Sequence, residues 1–307
     1  QDDLRVRADG DESVALVVSG EYGRAKQAGR TALSESAWRE GLLTQVSVGW
    51  VLTAVFVRFC EDNGLISHAV LSGPGERRAQ AEDAQTVFLR GGAELGERDY
   101  LQHVFTQSAG LPGLDQVLGE HNPVWMFGPS EDGARLILST FRSADDESGE
   151  LVWDFVDPAW GTRFLGDLYQ DLSEAAKKNF ALLQTPDFVE SFILDRTLDP
   201  AVEEFGLDGF RMIDPACGSG HFLLGSFERL FEAWRARTPQ DGARANAAKA
   251  LGSVHGVDIN PFAAAIAKFR LLVAALKASG IERLSDAPVF QLNVATGDSL
   301  LPAPANR

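Results

Sequence analysis

An open α/β sheet of parallel strands, preceded by a mainly helical domain, is the fold class that this sequence predicts. Three observations carry the prediction. Residues 210–223 (Phe210-Arg211-Met212-Ile213-Asp214-Pro215-Ala216-Cys217-Gly218-Ser219-Gly220-His221-Phe222-Leu223) pass from an apolar strand through an acid and a glycine turn into a helix. A doubly wound sheet receives a nucleotide-like ligand in this way, at the carboxyl end of a strand. Strand and helix then alternate. Val254 to Asp258 is followed by an apolar helix from Asn260-Pro261, and Val289 to Val294 leads into Gly297-Asp298. Ahead of these, apolar residues from Trp38 to Phe59 recur at helical spacing, and shorter amphipathic segments follow. The expected organisation is a helical domain over 1–155 and the first half of a Rossmann-like sheet over 156–307.

Residues 1–30 are polar and acidic at first, with one apolar patch from Val14 to Val18. A helix starts near Ser34 or Ser36, with Ser36 as N-cap and Glu40 in its first turn. Trp38, Leu42, Leu43, Val46, Trp50, Ala54, Val57 and Phe59 mark its buried face, and Gly64 stops it. The apolar run from Val46 to Phe59 is shorter than the ~20 residues that a bilayer span needs and reads as a core helix. Ser72 to Gln85 reads as an exposed loop. Shorter amphipathic helices fill 86–155, with breaks at Pro112-Gly113 and Gly128-Pro129, and Asp145 to Glu150 forms a polar hinge.

In the second half, Thr185 caps a helix that Pro186 opens at its first position. Phe188, Val189, Phe192 and Ile193 give that helix a buried face. Phe222, Leu223, Phe227, Leu230, Phe231 and Trp234 place the helix after the glycine turn against the sheet. Thr238 to Ala250 is a connector. Asn260-Pro261 repeats the cap-plus-proline start and opens an apolar helix from Phe262 to Leu276.

The spacing within the turn selects the ligand. A dinucleotide fingerprint needs a third glycine and an acid about 20 residues on. Here Leu223 holds the third position and Asp258 lies 38 residues after Gly220. Gly218 and Gly220 admit a ligand close to the backbone, and helix amides from His221 face it, but nothing basic in the turn is placed to meet a pyrophosphate. A ribose-and-adenine ligand without one fits, and S-adenosyl-L-methionine is the expected cofactor. Asp214 is expected to accept hydrogen bonds from turn amides or, directly or through water, to face the cofactor's ammonium group, and Asp258 to accept both ribose hydroxyls. Ile259 is expected against the adenine, with Asp298 accepting from the adenine amino group and Ser299 and Leu300 framing the ring. Cys217 has no base at suitable spacing and fills a small space. His221 and His255 read as structural, so no catalytic residue is assigned.

Composition is that of an ordinary globular protein, 45% apolar and 23% charged. Cys60 and Cys217 offer neither a disulfide framework nor metal-ligand spacing, and a cytoplasmic protein is the plain expectation. The net charge of −16 argues against this chain as the main DNA-gripping surface. Its basic clusters (Arg24-Lys26-Arg30, Lys177-Lys178, Arg229-Arg235-Arg237) read as solvated helix faces.

Asp214 to Phe222 resembles motif I of the amino-methyltransferases, in the form found in large adenine-N6 DNA methyltransferases. The resemblance brings Pro215, Ala216 and Phe222 into the cofactor site. Lys177 to Val189 resembles motif X, whose Thr-Pro turn, here Thr185-Pro186, lies against the methionine part of the cofactor. His121 to Trp125, Leu165 to Ser173 and Phe188 to Phe205 are more specifically similar to the methyltransferases of BREX type 2 phage-defence systems. The resemblance implies adenine methylation of DNA to mark self, with DNA and other defence proteins as partners and no membrane.

One departure matters. The family carries an Asn/Asp-Pro-Pro-Tyr/Phe motif after motif III, which holds and stacks the flipped base. Asn122-Pro123-Val124-Trp125 and Asp157-Pro158-Ala159-Trp160 lack the second proline, precede motif X and read as turns. The expectation is an amino-terminal portion with the cofactor site, the base pocket and DNA-reading surface lying in further sequence. Two alternatives are an amino-methyltransferase acting on RNA or protein, and a non-catalytic S-adenosylmethionine-binding module working through the helical domain. An NAD-dependent dehydrogenase is disfavoured by Leu223 and the distance to Asp258.

Overall fold

The computed structural model describes residues 1–120, 122–172 and 185–300. They fall into two units, and helices build the first, Gln1–Ser108 with Leu118–Val156. The polar start forms two helices, α1 (Asp2–Gly10) and α2 (Glu12–Gln27), because Leu4, Ala8, Val14 and Val18 each supply a buried side chain. Asp11 ends the first and caps the second, accepting from the Ser13 amide at 3.0 Å. The long helix α3 (Glu35–Asp62) is capped by Ser34 rather than Ser36, with the Ser34 hydroxyl accepting from Ala37 at 3.3 Å. At 28 residues α3 is long and apolar enough to cross a membrane, which corrects the length argument, yet most of its apolar stretch is buried inside the unit. Leu43, Val46, Ala54 and Phe59 have no exposed surface.

A buried ionic cluster closes the end of α3. Arg58 pairs with Asp62 at 2.9 Å and donates to the Phe141 carbonyl at 2.7 Å. Glu61 accepts the amides of Val70, Leu71 and Ser72 at 2.6, 2.6 and 3.1 Å. The expected loop over 72–85 is correspondingly short. Helix α4 (Arg77–Leu89) begins within it, because Ala81 is buried and Tyr100 of α5 (Glu97–Ala109) meets it from the other side. Asp145 to Glu150 is a turn inside this unit, where the Asp145 carboxylate accepts from Glu147 and Ser148.

The second unit comprises Ala109–Val117 and the described residues from Asp157 onward. Helices α6 (Leu114–Val117), α8 (Phe164–Leu172), α9 (Asp187–Leu194) and α10 (Leu198–Phe205) precede the sheet, with α7 (Glu131–Arg142) belonging to the first unit. Strands β1 (Met212–Asp214), β2 (Val254–Asp258) and β3 (Asn293–Thr296) run parallel in the order β1-β2-β3. The register pairs Met212 with Val254 and His255 with Asn293. Parallel neighbours need long crossovers. These are α11 (His221–Arg237) with α12 (Gly242–Ser253), and then α13 (Pro261–Ala278).

Four expectations are corrected here. Thr238 to Ala250 is not merely a connector, since most of it lies in α12, whose Ala247, Ala250 and Leu251 are buried. The third strand starts at Asn293, and Val289 is exposed. Thr185 makes no cap bond, and Pro186 holds the N-cap position of α9. The apolar stripe of α9 faces outward, with Phe188 76% and Phe192 54% exposed. The helix packs by its other face, since a Cβ on Gly225 of α11 would lie 1.9 Å from Glu190 Oε1 and 2.8 Å from Leu194 Cδ1.

Candidate functional site

The glycine turn between β1 and α11 is held through the amides of Ala216, Cys217, Gly218 and Gly220. The Asp214 carboxylate accepts the Ala216 amide at 3.1 Å, and the Cys217 amide donates to the Val257 carbonyl at 3.0 Å. The Gly220 amide returns to the Cys217 carbonyl at 2.9 Å. Gly218 and Gly220 have φ of 52° and 86°, left-handed conformations that favour glycine. A Cβ at Gly218 would point into open space, whereas one at Gly220 would lie 2.9 Å from the Ala267 methyl of α13. The turn is therefore open on one side and seated on α13 on the other.

Asp258 at the end of β2 joins the pieces. Its Oδ2 accepts the Gly218 amide and its Oδ1 the Asn260 amide, each at 2.8 Å. Its backbone carbonyl takes the Gly297 amide at 2.9 Å. Asn260 in turn caps α13, accepting from Phe262 at 3.0 Å, with Pro261 at the first helical position. Burial raises the Asp214 carboxyl above its ordinary value, opposed by the Ala216 amide and aided to a lesser degree by the charge of Asp258. Asp298 lies two residues beyond β3 and accepts from Leu300 at 2.9 Å.

The strand ends thus bring Asp214, Pro215, Ala216, Gly218, Gly220 and Asp258 into one neighbourhood. Ile259, Ser299 and Leu300 are exposed, Leu300 at 91%. Phe222 is half-buried in the first turn of α11. Thr185 is half-buried and Pro186 exposed at the start of α9. Lys177 to Gln184, the first part of the motif X passage, lie outside the described residues, as does His121.

Cys217 is buried, with its Sγ 3.0 Å from where a Gly256 Cβ would sit, and burial pushes its thiol up to about 12. It fills space, and burial disfavours the thiolate that a nucleophile needs. His221 is buried at the start of α11, and desolvation followed by the charges of Arg270 and Arg163 lowers it to about 4. It stays neutral. Asn122 to Trp125 forms a short 3-10 turn that Asn122 caps, and Asp157 closes the turn that ends at Trp160 by accepting from Ala159 and Gly161. Among the described residues no group of histidine, cysteine or acidic side chains could hold a metal ion.

Arg270 went unread in the sequence. It lies within the apolar run of α13, 5% exposed, and donates through Nη1 to the Ser219 carbonyl at 2.8 Å. A cation inside an otherwise apolar helix face was the available signal. Within the basic clusters, Arg229 pairs with Asp195 and Asp199, Arg235 with Glu232, Arg237 with Asp208 and Arg24 with Glu21, while Lys177 and Lys178 lie outside the described residues.

Residues 204–288 match the family model described as the DNA-methyltransferase domain of MmeI. The chain is 48% identical to the adenine-specific methyltransferase PglX of Streptomyces coelicolor, over 94% of this chain and 25% of that protein. A putative type II restriction enzyme and methyltransferase of Methanocaldococcus jannaschii is 27% identical, over 45% of this chain and 16% of that protein. The chain spans a quarter or less of the length of these curated relatives.

Proposed function

We propose that this chain is the cofactor-holding part of an adenine-specific DNA methyltransferase with a Rossmann-like core, and that S-adenosylmethionine binds against the open side of the glycine turn. The observation that carries the reading is the junction of Asp214, Gly218 and Asp258 at the carboxyl ends of two adjacent parallel strands. Similarity to PglX over 94% of the chain supports the reaction class.

The residues present suit that cofactor. Each Asp258 oxygen accepts one amide and retains a lone pair, enough to take one ribose hydroxyl apiece. The two neighbouring carboxylates, Asp214 and Asp258, favour a ligand carrying positive charge, which offsets the burial and the lesser repulsion from Asp258 that raise Asp214. Gly218 leaves its approach unobstructed. S-adenosylmethionine, when bound, supplies an electrophilic methyl group on a sulfonium. In this reading Asp214 orients the ammonium end, with Thr185, Pro186, Pro215, Ala216 and Phe222 around it. Ile259 covers one face of the adenine, while Asp298, Ser299 and Leu300 line its edge. In this reading the whole protein acts on DNA and serves phage defence in the cytoplasm.

Calorimetric titration of S-adenosylmethionine into the 307-residue chain tests this, with NAD and the Asp258→Asn variant as controls. Asparagine is chosen because its one carbonyl oxygen can still accept one of the two backbone amides, whereas alanine would release both. Saturable binding of S-adenosylmethionine, weakened in the variant and absent for NAD, is the expected result. Binding of NAD instead, or no binding by a folded chain, counts against the reading.

A further inference from the structure

The Arg270 side chain crosses from α13 to the apex of the turn. Burying a guanidinium is unfavourable unless its donors are met, and burial lowers this one to about 10. Its Nη1 is aimed at Ser219, whose carbonyl lies 2.8 Å and hydroxyl 3.4 Å away, while the buried Nε has no hydrogen-bond partner. A trans peptide is planar, so the Ser219 carbonyl and the Gly220 amide point in opposite directions. Holding the carbonyl on Arg270 therefore turns the Gly220 amide toward Cys217, where it bonds at 2.9 Å. That same peptide plane sets the φ of 86° at Gly220. Ala267, one helical turn before Arg270 on α13, lies directly beneath Gly220. The second half of the turn thus rests on α13 at two points, while Asp258 holds the first half.

We propose that Arg270 is a positioning residue, which latches the Ser219–Gly220 peptide in the orientation that the cofactor site requires without touching the cofactor. The consequence for affinity rests on the reading of the turn as an S-adenosylmethionine site; the latch itself does not. A preorganised turn needs no ordering when ligand arrives. Losing a charged hydrogen bond to it is expected to weaken binding roughly tenfold or more.

The test compares the full chain with Arg270→Met and Arg270→Lys. Amide hydrogen exchange without ligand is read at residues 217–221 and in the interior of α11, alongside calorimetric affinity for S-adenosylmethionine. The expected result in Arg270→Met is faster exchange confined to the turn, with affinity reduced, and partial recovery of both in Arg270→Lys. Exchange at wild-type rates in the turn of a folded Arg270→Met chain overturns the latch. If the wild type binds no S-adenosylmethionine while turn exchange still accelerates in the variant, the cofactor reading fails and the latch stands. Should the methionine variant not fold, Arg270→Lys decides: it keeps a buried cation but lacks the planar fork, and unchanged turn exchange in it overturns the latch.

Discussion

The Asp258 carboxylate lies 2.8 Å from the Gly218 amide, so the acid that ends the second strand also closes the glycine turn that follows the first. These residues are 40 positions apart. The same side chain holds the Asn260 amide and thereby the start of α13. Its carboxylate thus has a structural duty beside any ligand that it meets. Asp258→Ala is expected to destabilise the second unit by about 1–3 kcal/mol, the cost of leaving bonded amides without acceptors. A urea-unfolding midpoint equal to that of the wild type would refute this account.

The two glycines of the turn should differ in tolerance. Gly220→Ala meets Ala267 at 2.9 Å as well as an unfavourable left-handed backbone, whereas Gly218→Ala meets only the backbone penalty. The left-handed region costs roughly 1–2 kcal/mol for a residue with a Cβ. Thermal melts should therefore rank Gly220→Ala as the less stable variant, and the reverse order would show that the turn can slide on α13.

In the first unit, Glu61 accepts three amides while buried against Arg58. Removing one partner of a buried charged cluster costs about 3–5 kcal/mol. Glu61→Ala is expected to lower the unfolding free energy of that unit on this scale. A loss below about 1 kcal/mol, the range of exposed pairs, would place the cluster among surface interactions.

Acid should destabilise the second unit through His221. Burial lowers its folded value to about 4, below the unfolded value of about 6.5. Between these values the unfolded chain binds more protons, so stability falls as pH drops from 6.5 toward 4. Glu61 and Asp214, both raised by burial, act in the opposite sense. The His221→Gln variant isolates the effect. The wild-type-minus-variant stability should decline across that window, and a flat difference would show that the imidazole is solvated.

Both thiols should resist modification in the native state. Burial pushes the Cys217 thiol up to about 12 and raises Cys60 well above its usual range. Labelling with a disulfide reagent at neutral pH is expected to follow global unfolding. Rapid reaction of Cys217 without unfolding would show that the turn opens on its own.

Much of the second unit was legible because its signals are local. Asn260-Pro261 marks a helix start through a bond spanning two residues, and strand β2 ends at Asp258 where its apolar run ends. Gly218 and Gly220 adopt positive φ, as a tight strand-to-helix turn requires. Helix α12 was missed because its alanine-rich segment shows no apolar stripe, although alanine favours helix strongly.

What the sequence determined by itself is the order of strands, turns and helix starts, since propensity, capping and glycine conformations act over a few residues. Only tertiary structure decided which faces are covered. The apolar stripe Phe188-Phe192 faces outward, because the close approach at Gly225 draws the Glu190-Leu194 face of α9 onto α11. It also decided that Asp258 reaches Gly218 and that Arg270 reaches Ser219. Those contacts join residues 40 and 51 positions apart, and their geometry exists only once the crossover helices have packed on the sheet.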